Sequence, residues 1–201
     1  MLKHKEQRVG ILVDVSNMYH SARNLYNRRV SFREILLRAV ADRKLIRATA
    51  YAIRTENQEE GPFVDALSQQ GFEVKMKDLQ IFAGGAKKGD WDVGIAIDAI
   101  RLADKLDVIV IVSGDGDYLP LVSYLQNNKG CLVEIMAFRK TCSSRLIEEA
   151  DDFTDLGADK RFLIYSNEKA PRNDKPLRTN KSNDKNESSD KNQKEKVSIK
   201  K

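Results

Sequence analysis

The sequence predicts an α/β fold in which helices flank a mostly parallel central sheet. Five short runs rich in apolar and β-branched residues alternate with amphipathic segments that carry helix-capping signals, which is typical of repeated strand–helix units. Two of the runs, VGILV at 9–13 and VIVIV at 108–112, are apolar apart from one glycine. Strands covered on both faces have this composition, so we expect these two at the centre of the sheet.

The individual elements follow from local signals. The predicted strands are, in chain order, residues 9–13, 46–53, 72–77, 108–112 and 131–137. Asp14 and Asn17 suit the start of a helix after the first strand, and Ser31 and Glu34 have the capping-box spacing that opens a helix over 32–42. Four further helices are predicted: from Pro62 to Gly71, over 91–105 behind Asp90 or Asp92, from Pro120 to Gly130, and over 145–153 behind Ser143 or Ser144.

The folded domain is expected over residues 8–157, followed by a C-terminal extension over 158–167 and a disordered, Lys-rich tail over 168–201. The tail has 11 Lys and Arg against 6 Asp and Glu, so it carries the whole net charge of +5. It is too poor in large apolar residues to offset the entropy of ordering by burial. Its role is either to keep the chain in solution or to act as a weak electrostatic arm for polyanions.

Composition excludes several classes of protein. No apolar run reaches the roughly 18 residues that a membrane span needs, and residues 1–8 lack the apolar stretch of a signal peptide. We therefore expect a cytoplasmic protein with no membrane partner. Because Cys131 and Cys142 are the only cysteines and His4 and His20 the only histidines, a disulfide scaffold and a standard zinc site are both excluded. Any metal chemistry must use carboxylates.

Acidic and amide side chains occur where predicted strands end and where one helix begins. They fall in three groups: Asp14 and Asn17 after the first strand; Ser113, Asp115 and Asp117 after the fourth; and Asp90 and Asp92 at the start of a helix. The carboxyl ends of parallel strands share one edge of the sheet, where ligands of such folds bind. The groups are therefore expected to converge.

Four converging carboxylates, from Asp14, Asp92, Asp115 and Asp117, would repel one another and raise each other's pKa. A divalent cation relieves this conflict, and Mg²⁺ or Mn²⁺ prefers such oxygen ligands. A bound ion lowers the pKa of a coordinated water and polarises a phosphoryl oxygen, and a second ion roughly 4 Å away stabilises the leaving oxygen. Hydrolysis of a phosphodiester is the reaction that this arrangement favours.

Each acidic group also has a purely structural interpretation, which the residues alone leave open. Asp14 and Asn17 are good helix caps, Asp92 is a good N-cap, and Asp is common in glycine-spaced turns such as that of Asp115 and Asp117. Asp98 lies six residues beyond Asp92, about 240° around a helix, and is expected to be structural.

Basic and aromatic residues near these groups are candidates for substrate contact. Lys87 and Lys88 lie just before the acidic pair Asp90 and Asp92 in a glycine-rich segment, Arg23 follows the first acidic group, and Arg139 with Lys140 follows the last apolar strand. They would bind phosphate, or they are ordinary surface charges. Trp91 is a stacking platform for a base or an anchor in the core. A Cys142 nucleophile is disfavoured because neither histidine lies near it in sequence.

Three segments together resemble LabA-like NYN domains: DVSN at 14–17, KGDWDVGIAID at 88–98 and VSGDGDYLPL at 112–121. The segments SSRL at 143–146 and ADDFTDL at 150–156 are similar to the closing helix and strand of that family. The resemblance covers about residues 8–156. It implies a PIN-like Rossmannoid three-layer fold, related to metal-dependent nucleases that act mainly on RNA.

The resemblance also implies roles for single residues. Asp14, Asp92 and Asp115 would be the metal ligands and, with Asp117, the catalytic set. Asn17, Ser113 and Asp117 would be supporting ligands or groups that position a water. Asn17 and Ser113 are also expected to bind substrate, as are Lys87 and Lys88 from their position alone. The implied cofactor is Mg²⁺ or Mn²⁺, and the implied partner is RNA, single-stranded RNA in particular.

We therefore expect a metal-dependent ribonuclease that hydrolyses RNA with a metal-activated water. One alternative is a non-catalytic RNA-binding or regulatory NYN module, and another is a phosphomonoesterase or nucleotide hydrolase built on the same acidic centre. Sequence specificity, endo or exo cleavage and the oligomeric state, a homo-oligomer included, stay open.

Overall fold

The structure, a computed structural model, describes residues 3–54, 61–81 and 87–164. The strands are β1 (Arg8–Asp14), β2 (Arg29–Val30), β3 (Lys44–Arg54), β4 (Glu73–Asp78), β5 (Gln80–Ile81), β6 (Lys87–Lys88), β7 (Val108–Val112), β8 (Leu132–Ala137), β9 (Asp152–Asp155) and β10 (Leu163–Ile164). The helices are α1 (Val15–Tyr26), α2 (Phe32–Val40), α3 (Gly61–Gln69), α4 (Asp92–Ala103), α5 (Leu119–Lys129) and α6 (Ser144–Glu149). Short 3₁₀ turns span Gly116–Tyr118, Arg139–Thr141 and Lys160–Phe162.

The central sheet has six parallel strands in the order β4-β3-β1-β7-β8-β9. As predicted, β1 and β7 are its central pair, with Ile11 opposite both Ala48 of β3 and Val110 of β7. All five residues of β7 are buried, as are residues 9–13 of β1. Each large aliphatic side chain buried here contributes roughly 2 kcal/mol of transfer free energy, so the sheet centre is the main part of the core.

Helices cover both faces, which makes three layers. Right-handed connections from β1 towards β4 place α1, α2 and α3 on one face, and those from β4 towards β9 place α4, α5 and α6 on the other. The contacts between elements agree with this placement of the helices, since α4 packs on α5, and α5 packs on β8 and α6. The chain leaves β1 in one direction to form β3 and β4, and later builds β8 and β9 in the other. The strand order therefore reverses between β1 and β7, the position where open α/β sheets bind ligands.

All five predicted strands are confirmed, with ends that differ by at most two residues. The helix predicted over 145–153 is wrong in its second half. α6 ends at Glu149, Ala150 is extended, and the Asp151 N–H donates to the Val133 carbonyl, so the chain enters β9 beside β8. The edge of β8 offers backbone hydrogen bonds that a solvated helix end does not, and β9 uses them. This helix followed by a strand is what the resemblance implied.

Capping signals place the helix starts well. The Ser31 Oγ accepts the Glu34 N–H at 3.4 Å, as the capping box predicts. The same helix ends at Val40 instead of residue 42, because Ala41 and Asp42 both have positive φ.

Residues after 157 return to the domain as far as they are described. Phe162 is buried, its carbonyl accepts the Ser31 N–H, and β10 pairs antiparallel with β2. The predicted disordered tail over 168–201, like the end of the predicted extension from 165, lies outside the described residues. Among the helices of the described ranges, none has the length and apolarity needed to cross a membrane.

Candidate metal centre

Asp14 lies at the carboxyl end of β1 and begins α1. Its Oδ1 accepts the Asn17 N–H at 3.0 Å, so the carboxylate serves as the helix N-cap. The Asn17 Oδ1 in turn accepts the Gly114 N–H at 3.1 Å, in the loop that follows β7. Asn17 thus joins the two central loops of the switch point, and the cap and the second acidic group are parts of one structure.

The loop after β7 is folded against residues 141–143. A Cβ on Gly114 would lie 3.0 Å from the Cys142 Cα, and one on Gly116 would lie 3.1 Å from the Ser143 Oγ. The Ser143 N–H donates to the Gly114 carbonyl at 3.0 Å. Neither glycine has positive φ. Close approach of two backbone segments, rather than a left-handed turn, is therefore the reason for glycine here.

Hydrogen bonds within this loop aim its carboxylates. The Asp117 N–H donates to the Asp115 Oδ1 at 3.0 Å, and the Asp115 N–H donates to the Ser113 Oγ at 3.3 Å. Ser113 is completely buried. The Ser113 hydroxyl therefore supports the loop from the interior of the protein and is not exposed to solvent.

Asp92 reaches the same place from the first turn of α4. The Tyr118 hydroxyl donates to the Asp92 Oδ1 at 2.9 Å, and Tyr118 is itself buried. The preceding Trp91 is partly buried, packs against the core, and donates its indole N–H to the Ala52 carbonyl at 2.9 Å. Gly94 leaves room for the Trp91 ring, since a Cβ there would lie 2.6 Å from the ring. The contacts support the interpretation of Trp91 as an anchor that fixes the start of α4.

Three carboxylates converge at this point. Each of Asp92, Asp115 and Asp117 offers an oxygen atom, and these oxygens all lie within 4.8 Å of one another. Burial is the main cause that raises the pKa of Asp92, and the charges of Asp115, Asp90 and Asp117 raise it further. Such a set of mutually repelling oxygen donors suits a divalent ion such as Mg²⁺ or Mn²⁺.

Asp14 lies beside this cluster and shares its electrostatics. Burial raises the pKa of Asp14 to about 6, and the charges of Asp92 and Asp115 add to the effect. Burial and the charges of Asp14 and Asp92 also raise the pKa of the Tyr118 hydroxyl, so it stays a hydrogen-bond donor. The predicted convergence of carboxylates at this edge is therefore present, with Asp117 in the tight group and Asp14 next to it.

The family model of the NYN domain matches residues 8–157. The chain belongs to the NYN domain family. NYN domains are a PIN-like nuclease family, and its members are generally nucleases. The chain is also 24% identical over 180 residues to the low amplitude and bright protein LabA of Synechococcus elongatus, a match that covers 83% of this chain and 93% of LabA. The crystal structure of a protein of unknown function from Vibrio parahaemolyticus is similar too, with a TM-score of 0.74 and 34% identity, covering 82% of this chain and all of that one.

Asp98 of this NYN domain is not part of the acidic cluster. Asp98 accepts hydrogen bonds from the Tyr51 hydroxyl at 2.7 Å and the Lys75 Nζ at 2.6 Å, in line with its expected structural role. Burial raises the pKa of Asp98, but these two hydrogen bonds outweigh it and hold the pKa below its usual value. The backbones of Lys87 and Lys88 form β6, whereas their side chains lie outside the described part of the chain.

Two of the remaining candidates of the NYN domain, Arg23 and Arg139, have partners of their own. Arg23 donates to the Tyr19 hydroxyl at 2.6 Å, and Arg139 lies over the Phe153 ring at 4.6 Å and near Asp155. Burial raises the pKa of the Cys142 thiol to about 11, which keeps it protonated and agrees with its rejection as a nucleophile.

Two contributors to the NYN site were missed from sequence. Tyr118 follows Asp117 directly, but its contact with Asp92 depends on how α4 packs and has no local signal. Lys77 donates to the Asp90 carbonyl at 3.1 Å, and its Nζ lies 5.8 Å from the centre of the Trp91 ring. Its place near the carboxyl end of β4, a parallel strand of the same sheet, was a signal that could have found it.

Proposed function

We propose that this protein is a divalent-metal-dependent ribonuclease that hydrolyses phosphodiester bonds of single-stranded RNA. The observation that carries the proposal is the convergence of the Asp92, Asp115 and Asp117 carboxylate oxygens within 4.8 Å, at the switch point of an NYN fold. Building such a cluster without a cation is electrostatically unfavourable. Members of the NYN family are generally nucleases, which supports phosphoryl-transfer chemistry over other uses of a bound metal.

The side chains divide into those that would hold the ion and those that hold the ligands in place. Asp92, Asp115 and Asp117 would bind Mg²⁺ or Mn²⁺, with Asp14 completing the acidic wall from its position as cap of α1. Such an ion polarises a phosphoryl oxygen and lowers the pKa of a bound water.

Two further residues orient this set. The Tyr118 hydroxyl fixes the rotamer of Asp92, and the Asn17 amide ties the loop of Asp115 to α1. These contacts preorganise the ligands, which is what the binding of a metal with strict geometry needs.

The test is cleavage of end-labelled single-stranded RNA in Mn²⁺, Mg²⁺ or EDTA by the wild type and by Asp115→Asn. Asp115→Asn keeps the shape of the side chain and removes one ligand charge, so we expect cleavage to fall at least about a hundredfold while the fold is kept. Asp65→Asn, an exposed aspartate of α3, is the matched control and should cleave like the wild type.

Other results of this experiment would indicate a different mechanism or function. If Asp115→Asn cleaves RNA at the wild-type rate in the same metal, the proposed mechanism is wrong. RNA that is bound in a metal-dependent way but never cut by the wild type would make the protein a binding or regulatory module. Release of phosphate from mononucleotides, with oligonucleotides left intact, would indicate a nucleotide hydrolase.

A further inference from the structure

A cavity of about 900 Å³ opens next to Asp14, the aspartate beside the acidic cluster, and has no part in the proposed chemistry. Its wall includes Val15 and Ser16, the two residues that directly follow Asp14. It also includes Ala52, the residue after Tyr51, which is the partner of Asp14 in the pairing of β1 with β3. Neighbouring Cα atoms are 3.8 Å apart, so the cavity begins within one turn of α1 from Asp14, which lies beside the proposed metal centre.

The walls suit a flat, aromatic guest. Most of the lining is apolar, and it includes the rings of Tyr19, Phe32 and Phe63. Phe32 and Phe63 meet edge to face at 6.1 Å, and Phe63 is 40% exposed although it is a large apolar side chain. Ligand sites typically have volumes of about 300–1,000 Å³ with apolar and aromatic walls, and an aromatic side chain that stacks on a nucleobase contributes about 1–3 kcal/mol.

One buried polar atom in the wall has no partner. The Oε1 of Gln70 is inaccessible to solvent and accepts no hydrogen bond from the described residues. A buried acceptor left in this state costs about 1–3 kcal/mol, so native structures nearly always satisfy it. The edge of a nucleobase carries N–H donors that would satisfy this oxygen once the flexible Gln70 side chain turns its amide towards the guest, whereas a purely apolar guest would not.

Cationic and ionisable groups lie at the rim of the cavity. Arg29 of β2 lines it, its side chain is exposed, and within the described ranges its guanidinium forms no ion pair. His20 lines the cavity beside Tyr19, whose ring it meets edge to face at 5.4 Å. An exposed guanidinium is well suited to a phosphate, to which it can donate two hydrogen bonds. Apolar walls, an unpaired amide oxygen and a rim guanidinium together match a nucleotide.

We propose that this cavity is a subsite for one nucleotide of the RNA, with the base against Phe63 and Gln70 and a backbone phosphate beside Arg29. The inference rests on the proposed function, since it places a base next to the bond that the acidic centre cuts. Cleavage is then selective for the base at that position, because the four bases carry their N–H donors at different ring positions and only some of them place a donor opposite the Gln70 amide oxygen.

Binding is tested apart from cleavage. The four nucleoside 5′-monophosphates are titrated by calorimetry into full-length Asp115→Asn in EDTA, with the nucleosides and inorganic phosphate as separate arms. We expect saturable binding that prefers one or two bases and is weaker for the nucleoside. Ala66→Trp, which fills the cavity from an exposed position on α3, and Arg29→Gln should each weaken binding at least about tenfold, and Arg38→Gln on α2 should not.

The outcomes separate the two proposals. Absence of saturation up to about 10 mM, equal binding of all four nucleotides and inorganic phosphate, or unchanged affinity in both cavity variants would overturn the subsite, even where wild-type cleavage depends on Asp115. The opposite combination is also informative. If the nucleotides bind selectively but Asp115→Asn cleaves RNA like the wild type, the subsite is retained and the proposed catalytic mechanism is wrong. In the wild type, Gln70→Leu should reduce base preference at the cut and keep metal dependence.

Discussion

The carboxylate of Asp14 has two opposing effects on the stability of the fold. It accepts the Asn17 N–H and so stabilises the start of α1, a contribution of typically about 1 kcal/mol. The same carboxylate is buried next to Asp92 and Asp115, which raises its pKa to about 6. Without a bound cation, the charge of Asp14 therefore destabilises the fold at neutral pH, although its hydrogen bond stabilises the helix.

Asp14→Asn should increase the stability of the metal-free protein at neutral pH. Asn keeps an acceptor for the cap and removes the buried charge. Because the folded pKa lies above the ordinary value, the contribution of the Asp14 carboxyl to wild-type stability is greatest at low pH and falls as pH rises from about 4 through about 6. The full shift corresponds to at most about 3 kcal/mol, and partial solvation reduces the expected gain to about 1–2 kcal/mol.

The measurement for Asp14→Asn is urea unfolding in EDTA at pH 4 and at pH 7. The advantage of the variant over the wild type should be small at pH 4 and present in full at pH 7. Asp65→Asn on α3 should track the wild type at both values. A difference between variant and wild type that does not grow with pH would contradict the electrostatic account.

At the scale of elements, the loop after β7 is shaped by the segment it packs against. Gly114 and Gly116 allow it to lie on Cys142 and Ser143, and that contact fixes where Asp115 and Asp117 point. The spacing of glycines between the aspartates is therefore a packing requirement of two loops, and the acidic pair depends on it.

Gly114→Ala should damage both stability and metal binding. The new Cβ would meet the Cys142 Cα at 3.0 Å and the Thr141 carbonyl oxygen at 3.2 Å, both backbone atoms that cannot swing aside. We expect a loss of about 1–3 kcal/mol in unfolding free energy and a clear loss of Mn²⁺ affinity as the loop moves. Gly61→Ala, where a Cβ meets nothing within 4 Å, is the matched control and should be neutral or slightly stabilising. Urea unfolding and Mn²⁺ titration would decide, and wild-type behaviour of Gly114→Ala would show that the loop contact is dispensable.

Local pattern and long-range packing explain which elements the sequence predicts. The strands at 9–13 and 108–112 are recognisable because a strand buried on both faces needs an unbroken apolar run. Strand β9 is half polar and lacks such a pattern. It forms because the free edge of β8 provides backbone hydrogen-bond partners. The approach of the acidic groups was predictable from parallel topology. The cavity around Gln70 is enclosed by residues of α1, α2, α3 and β10. No local sequence pattern predicts that these elements come together.

At the scale of the whole molecule, the acidic centre draws on both halves of the sheet. Asp14 comes from β1, Asp115 and Asp117 from the loop after β7, and Asp92 from α4, which follows the excursion of the chain through β3 and β4. Each of these segments is held by its own core contacts, so the centre exists only when the sheet has formed. A cation bound there would link three segments distant in sequence and would bind the folded state far better than the unfolded one.

Mn²⁺ or Mg²⁺ should therefore raise the Tm of the wild type. A ligand at about 100 times its Kd stabilises the fold by about 2.7 kcal/mol, which for a chain of this length is about 5–10 °C. Asp115→Asn should lose most of this rise because it removes the charge of one of the three converging carboxylates, and Asp65→Asn should keep it. The measurement is thermal unfolding by circular dichroism across a metal titration, at constant ionic strength so that general screening is the same throughout. An equal rise in the wild type and in Asp115→Asn would place the bound ion elsewhere on the surface and deny the acidic centre its proposed role.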